Sequence, residues 1–440
     1  MPSSQSQDLE VENLSYVDIQ HDALAVFDDI EQGVVLSEDI WISGYKAGES
    51  SVHGKAKVTV REGGGAELVG REGVKIERLG KTNFNVSIPK LSISNRSVKF
   101  PKQIIHPPYK KSSNLDAPLH INSLSLNPKT PHVVVGGPDG YCAILPMSLN
   151  SSEKEVYLRG HVGDVRDVRW FPSGEVILTA SSDLSIRIYG RDGINPRTLR
   201  GHTRAITSIH ILGLGRQVIS ASKDGTIRLW DVSKGEEVKR WLVGLESRMT
   251  IEGMLLIDQP SSINTLGLEE ERVMLLNVQD GVWVQPFSSD DRGDGWFIRN
   301  DFGSQLISID ERDGVVVLGY MSGVVEIMDL GRLRKPSSSI DPALYEGKEG
   351  RVDRIKRIRR NESPIYSLHL APSGDRDQLD LYVGTSSGLP CLLNIRVRED
   401  RFEVEIKDEL AGWEASGVEC WGKVGENVWC AGGEGGLRRY

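Results

Sequence analysis

Apolar and polar residues alternate through most of this chain in short runs, and the runs are closed by turns rich in glycine and acidic residues. Period-two patterning of this kind predicts half-buried β-strands joined by tight turns. The clearest stretch lies between positions 160 and 231. There Gly160-His161, with Ser181, Asp183 and Tyr189, is matched 41 positions later by Gly201-His202, with Ser222, Asp224 and Trp230. In each copy an apolar run starting at Val165 or Ile206 leads to a second, EVILTAS or RQVISAS. An acidic turn then leads into a third, SIRIYG or TIRLWD.

That interval is the length of one WD-repeat propeller blade. The matched polar residues have a structural use. His161 and His202, in the loops entering the blades, are expected to bond Asp183 and Asp224 of the turns. Each Asp is also expected to accept the hydroxyl of Ser181 or Ser222, and Tyr189 or Trp230 closes the network with its O–H or N–H. A polar network of this kind is stable in a low-dielectric interior when each member finds a partner. These residues are therefore read as structural, not catalytic.

The same template predicts turns at Asp139-Gly140, Asp183-Leu184, Asp224-Gly225, Asp280-Gly281, Ser322-Gly323, Ser387-Gly388 and Glu434-Gly435, hence seven blades. AGGEGGLRRY aligns with ASKDGTIRLW and places Tyr440 where Trp230 stands, so the chain stops on a third strand. The fourth is expected from SVKFPKQI at 97–104, which closes the ring without an unpaired edge. The expected fold is all-β: a seven-bladed WD-repeat β-propeller over 97–440, preceded by a small β-rich N-terminal domain over 1–96. That domain is expected to lean on the propeller because its own core is limited. Blades one and four to seven lack most of the polar network, and Ser322 and Ser387 replace the turn Asp in blades five and six. Val135, Leu275, Val317, Tyr382 and Trp429 are the core candidates on second strands. MPSSQSQDLE, SSDDRGDG at 288–295 and the stretch 331–362 are expected to be mobile.

Composition narrows the function. No apolar stretch approaches a transmembrane span and no basic n-region opens the chain, which points to the cytoplasm, the nucleus or both. Cys142, Cys391, Cys420 and Cys430 form no CxxC pair and read as small core residues, so no metal or other cofactor is expected. HxH, HExxH, GxSxG and phosphate-loop spacings are absent, which argues against an enzyme. The net charge of −9 argues against nucleic acid as a partner, and RVDRIKRIRRN at 351–361 reads as the exposed outer strand and lead-in of a blade.

The loops between blades open on one face, and six of the seven hold an acid: Asp116, Asp164, Glu246, Asp301, Glu362 and Glu414. Glu434 and Asp139 add turn acids. An acidic chain scatters carboxylates over its loops in any case; the sharper reading is an acidic ring built to meet a basic protein surface. Trp413 beside Glu414 is the candidate apolar anchor, with ordinary packing between blades as the alternative. The expected partner-binding set is Asp164, Glu246, Asp301, Glu362, Trp413, Glu414 and Glu434, on a monomer.

The block FPSGEVILTASSDLSIRIYGRDGINPRTLRGH, followed by GRQVISASKDGTIRLWD, resembles the proteasomal ATPase-associated factor family, WD-repeat chaperones of regulatory-particle assembly. The likeness extends weakly to EDIWISGYKAG, KTNFNVSIP and the closing GGLRRY. It implies a non-enzymatic chaperone whose acidic propeller top binds the C-terminal domain of a AAA ATPase subunit of the 26S proteasome regulatory particle and hinders premature docking on the core particle. Two other classes compete. A cullin ubiquitin ligase substrate receptor often carries Trp-Asp-x-Arg at the end of a blade, and Trp230-Asp231-Val232-Ser233 lacks the Arg. A scaffold in ribosome or RNA assembly would carry a basic face or tails.

Overall fold

The computed structural model describes residues 10–440 except 62–64, 108–119, 149–152, 245–246, 290–293, 301–302, 337–353 and 376. The expected tail at 1–10, apart from Glu10, and much of 288–295 and 331–362 therefore lie outside the described residues.

Among the described residues the strands form a seven-bladed β-propeller preceded by a smaller β-rich unit. Blades one to six span 123–157, 165–200, 206–242, 251–299, 306–359 and 365–410, each with four antiparallel strands in chain order. Blade seven takes three strands from 418–439, and its fourth position is held by Gln103–Ile105, paired antiparallel with Leu437–Arg439. The innermost strands neighbour one another around the ring, including Val418–Val424 beside Ser123–Leu126. Side chains tie neighbouring inner strands: Ser125 Oγ accepts from Trp170 N–H at 3.1 Å, Asp167 from Ile209 N–H at 3.0 Å, and Ser208 Oγ from Met254 N–H at 3.1 Å.

Second strands are sandwiched between adjacent blades, so both faces are covered. This is why His132–Gly136, Val273–Val278 and Val315–Tyr320 are buried at every position and read as continuous apolar runs. Val135, Leu275, Val317, Tyr382 and Trp429 are all core residues.

The N-terminal unit pairs Tyr16–Ile19, Ser37–Tyr45, Val52–Val60 and Ala66–Arg71 into one sheet, with a helix, Ala23–Glu31, burying Phe27 and Ile30 against it. Its core is larger than the sequence suggests, running from Val17 to Phe100. Three further strands, Lys75–Arg78, Asn83–Ile88 and Ile93–Lys99, are not separate from the propeller. Ile93–Lys99 pairs in parallel with Phe402–Leu410 of blade six, making one seven-stranded sheet. Residues 97–104 are thus divided between this sheet and the closing strand of blade seven. Glu12–Asn13 likewise pairs with Ile355–Arg359, so the basic run is the outermost of blade five's own strands but is covered.

A buried ionic knot fastens the junction. Glu409, 3% exposed, accepts from Arg96 at 2.9 Å and from Arg360 and Val17 N–H, while Asp408 takes Lys99 at 2.8 Å and Ser97 at 2.7 Å. Buried charges are tolerated only when each is paired and hydrogen-bonded, and here each carboxylate has several donors.

Candidate partner-binding face of the propeller

In blades two and three the entrance loops are held by polar chains that differ from the expected scheme. Trp230 Nε1–H donates to Ser220 Oγ at 2.9 Å, Ser220 lies 2.8 Å from His202 Nε2, and His202 Nδ1 lies 3.0 Å from Asp224. Asp224 therefore does not receive Trp230. It accepts instead from Thr226 O–H at 2.6 Å and from the N–H groups of Thr203 and Thr226, both at 2.9 Å. Ser222 does not donate to Asp224 either: its hydroxyl donates to Arg204 C=O and accepts from Asp224 N–H. Blade two repeats the pattern through Thr179, 2.7 Å from His161 Nε2, and Ser185, which donates to Asp183 at 2.6 Å. There Ser181 donates to Gly163 C=O and Tyr189 to Arg159 C=O, neither to Asp183. Thr179, Ser185, Ser220 and Thr226 went unread. Their signal was two further matches at the same interval, a hydroxyl two positions before Ser181 or Ser222 and another two after each Asp.

Burial works against the Asp183 charge, but bonds from Ser185 and His161 outweigh it and hold the carboxyl at about 2. Asp224 is held lower still by His202 and Thr226, again against burial. Burial lowers His161 and His202, more than the Asp bonds raise them. A neutral imidazole that donates from Nδ1 and accepts at Nε2 satisfies both neighbours. The consequence is a rigid loop on which exposed residues, Val162 and Thr203 among them, are presented.

The described residues show how part of the charge on that face is placed. Glu246 and Asp301, with Asp116, lie outside the described residues. Asp164 is partly spent, 3.4 Å from Arg166. The loops entering blades two and three also carry exposed Arg159, Arg200 and Arg204, and the exposed Asp139 donates its N–H to Asp164. Carboxylates gather on the opposite side of the ring. Glu362 is exposed, Glu414 is 74% exposed with His21 3.8 Å away, and Glu434 pairs with Arg438. Glu419 stands 3.5 Å from His120.

Trp413 is not a surface anchor. It is 5% exposed, donates its indole N–H to Tyr440 Oη at 3.0 Å, and lies under the Arg438 guanidinium at 3.9 Å. Tyr440 in turn donates to Ala411 C=O at 2.6 Å, so Trp413 latches blade seven shut. The exposed aromatic on this side is Tyr366, 37% exposed. A Cβ at Gly417 would come within 2.8 Å of its ring, so the absence of a side chain there lets the ring approach closely.

Tyr366 belongs to a set that the sequence analysis missed. Six inner strands carry a β-bulge one residue after their first apolar position, and the bulged residues are Arg166, Thr207, Glu252, Ile307, Tyr366 and Glu419. A bulge re-aims one side chain out of the alternation. The chain signal is an apolar residue, then a residue that breaks the apolar-polar count, at the start of each inner strand. Among the described residues no group of His, Cys, Asp and Glu is placed to hold a metal ion, and no helix is long and apolar enough to cross a membrane.

The model of the WD domain, G-beta repeat, matches residues 152–190 and 193–231. Each matched unit takes in the outer strand of one blade and ends on the third strand of the next, so the sequence repeat staples consecutive blades. The chain carries WD repeats. It is 39% identical over 70 residues to the 26S proteasome regulatory subunit RPN14 of Saccharomyces cerevisiae, 16% of each chain. It is 30% identical over 117 residues to the human serine-threonine kinase receptor-associated protein, 24% of this chain and 32% of that one. It is 36% identical over 123 residues to nuclear distribution protein nudF 1 of Talaromyces marneffei, 27% and 26%. The matched stretches span a third or less of these relatives.

Proposed function

We propose that this protein is a non-enzymatic assembly chaperone of the 26S proteasome regulatory particle, acting as a monomer in cytoplasm and nucleus. It binds the C-terminal domain of one AAA ATPase subunit and, while bound, hinders premature docking on the core particle. The observation that carries the reading is the set of carboxylates Glu362, Glu414, Glu419 and Glu434 on blades six and seven, where Glu414 N–H donates to Glu434 and where the exposed Tyr366 and Glu419 both stand over Gly417. Carboxylates at the rim of an aromatic suit a basic helical surface: the charges steer encounter, and the ring offers both contact area and a face for cations. The similarity to a 26S proteasome regulatory subunit supports the choice of partner. The acidic contact is confined to this sector, because Arg159, Arg200 and Arg204 would repel a basic partner from blades two and three.

The test immobilises the full chain and titrates the isolated C-terminal domain of each regulatory-particle ATPase subunit. One domain is expected to bind, more weakly as salt rises, and the double variant Glu362→Lys with Glu414→Lys is expected to lose it at unchanged melting temperature. Reversal of Arg159 and Arg204 to Glu should not weaken it. Failure of every ATPase domain to bind, or binding indifferent to the Glu reversals, would overturn the proposal.

A further inference from the structure

The opposite face of the propeller carries a feature of the other sign. At the seam between blades seven and one a recess of about 560 Å3 opens beside the closing ladder, where Gln103 pairs with Arg439. Its volume falls in the range of ordinary ligand pockets, roughly 300–1,000 Å3. Pro128 and Pro131 of the blade-one turn, Met147, Val424 and Trp429 supply apolar walls. Lys129 and Arg439 supply positive charge, and no carboxylate is among the described lining residues. Glu426, in the turn between Val424 and Asn427, is not among them either.

Two observations mark this recess as unfinished in the free chain. The Nε–H of Arg439 and the indole N–H of Trp429 are both buried without a hydrogen-bond acceptor among the described residues. The Arg439 guanidinium stands over the Trp429 ring at 5.8 Å, a loose contact. Unsatisfied buried donors are few in native proteins and each asks for an acceptor. A chain of net charge −9 disfavours acidic partners as a whole, so a recess with two cations and no described carboxylate stands out, as do the exposed arginines of blades two and three.

We propose that this recess receives an acidic peptide segment bearing an apolar side chain. Its carboxylates meet Lys129 and Arg439, and its apolar residue lies against Trp429, Met147 and Val424. The site is separate from the acidic sector in position and in the charge it selects, so it stands or falls apart from the proposed function. Because it straddles the closing strand, an occupant would brace the ring at its seam.

The test uses the full chain labelled with 13C at its methionine methyl groups. It is titrated with the blocked peptide EDLED, with the basic peptide KKLKK, and with inorganic phosphate. EDLED is expected to shift the Met147 methyl resonance saturably, with affinity about tenfold weaker in Lys129→Glu and in Val424→Asp, and tighter in Glu426→Lys. All three substitutions lie at exposed positions, Lys129 and Glu426 in turns and Val424 at the end of a strand. A Met147 resonance unmoved by EDLED at millimolar concentration would overturn the proposal. So would an equal response to KKLKK, or equal affinity for EDLED in all variants. A full shift from phosphate alone would reduce the recess to a simple anion site and overturn the peptide reading.

Discussion

Replacing Asp224 by Ala tests whether the WD-repeat polar network is a structural device. The carboxylate accepts four bonds: His202 Nδ1–H at 3.0 Å, the N–H groups of Thr203 and Thr226 at 2.9 Å, and Thr226 O–H at 2.6 Å. Not all of these are lost outright. Thr203 is near the surface, where water replaces the acceptor, and Thr226 Oγ1 lies 3.2 Å from His202 Nδ1 and can receive its proton. That leaves the buried Thr226 N–H and O–H without their acceptor, at about 1–3 kcal/mol each. The charge-assisted bond to His202 is also exchanged for a weaker neutral one, a smaller loss. The expected destabilisation is therefore about 2–6 kcal/mol, read by thermal and urea unfolding. Asp231→Ala is the control, since Asp231 bonds its own surface turn through Ser233 and Lys234 and its loss should leave the unfolding midpoint close to that of the unaltered protein. If Asp224→Ala melts with the control, the network does not hold the loop. If it melts normally but loses a partner, Asp224 is a contact residue and the structural assignment is wrong.

At the junction with the N-terminal unit, Glu409→Ala strands Arg96 and Arg360 and should cost about 3–5 kcal/mol, seen as a lower unfolding midpoint. The histidines set a pH dependence. His161 and His202 are depressed by burial in the fold, so the unfolded chain binds more protons below its ordinary histidine pKa near 6.5. Stability is thus fully present above that pH and falls as pH drops toward the folded values, by up to about 1.4 kcal/mol per pH unit for each histidine. Unfolding midpoints between pH 7 and 5 measure it, and a flat profile would refute the burial argument. Tyr440→Phe removes the bond to Ala411 C=O and the acceptor of Trp413 N–H, and should lower the melting temperature without touching the acidic sector. Cys142, Cys391 and Cys430 are buried with their thiols pushed up, Cys391 to about 11, so a thiol reagent should label them only as the chain unfolds.

What the linear pattern determined was the fold class. Strand alternation and glycine turns are local properties, set by backbone geometry within a few residues, and they recur wherever a blade is built. Two blades kept enough polar identity, from His161 to Trp230, to reveal the interval that counts the others. Which loops share an end of the ring was legible for the same reason, because strand count alone decides it.

Only the tertiary structure decided how those loops are filled and what lies against them. Trp413 reads equally as an apolar anchor or as packing between blades until ring closure brings Tyr440 and Arg438 against it. Asp224 reads as the acceptor of Trp230 until the register of neighbouring strands puts Ser220 between them. Tyr366 and Glu419 face outward because a bulge breaks the alternation by one residue, a shift invisible in a period-two pattern. The pairing of Val98 and Lys99 with Glu409 and Leu410 joins segments that share no repeat at all. Each is a contact between residues distant in the chain, chosen by closure of the ring and burial of charge, and neither leaves a local periodicity to read.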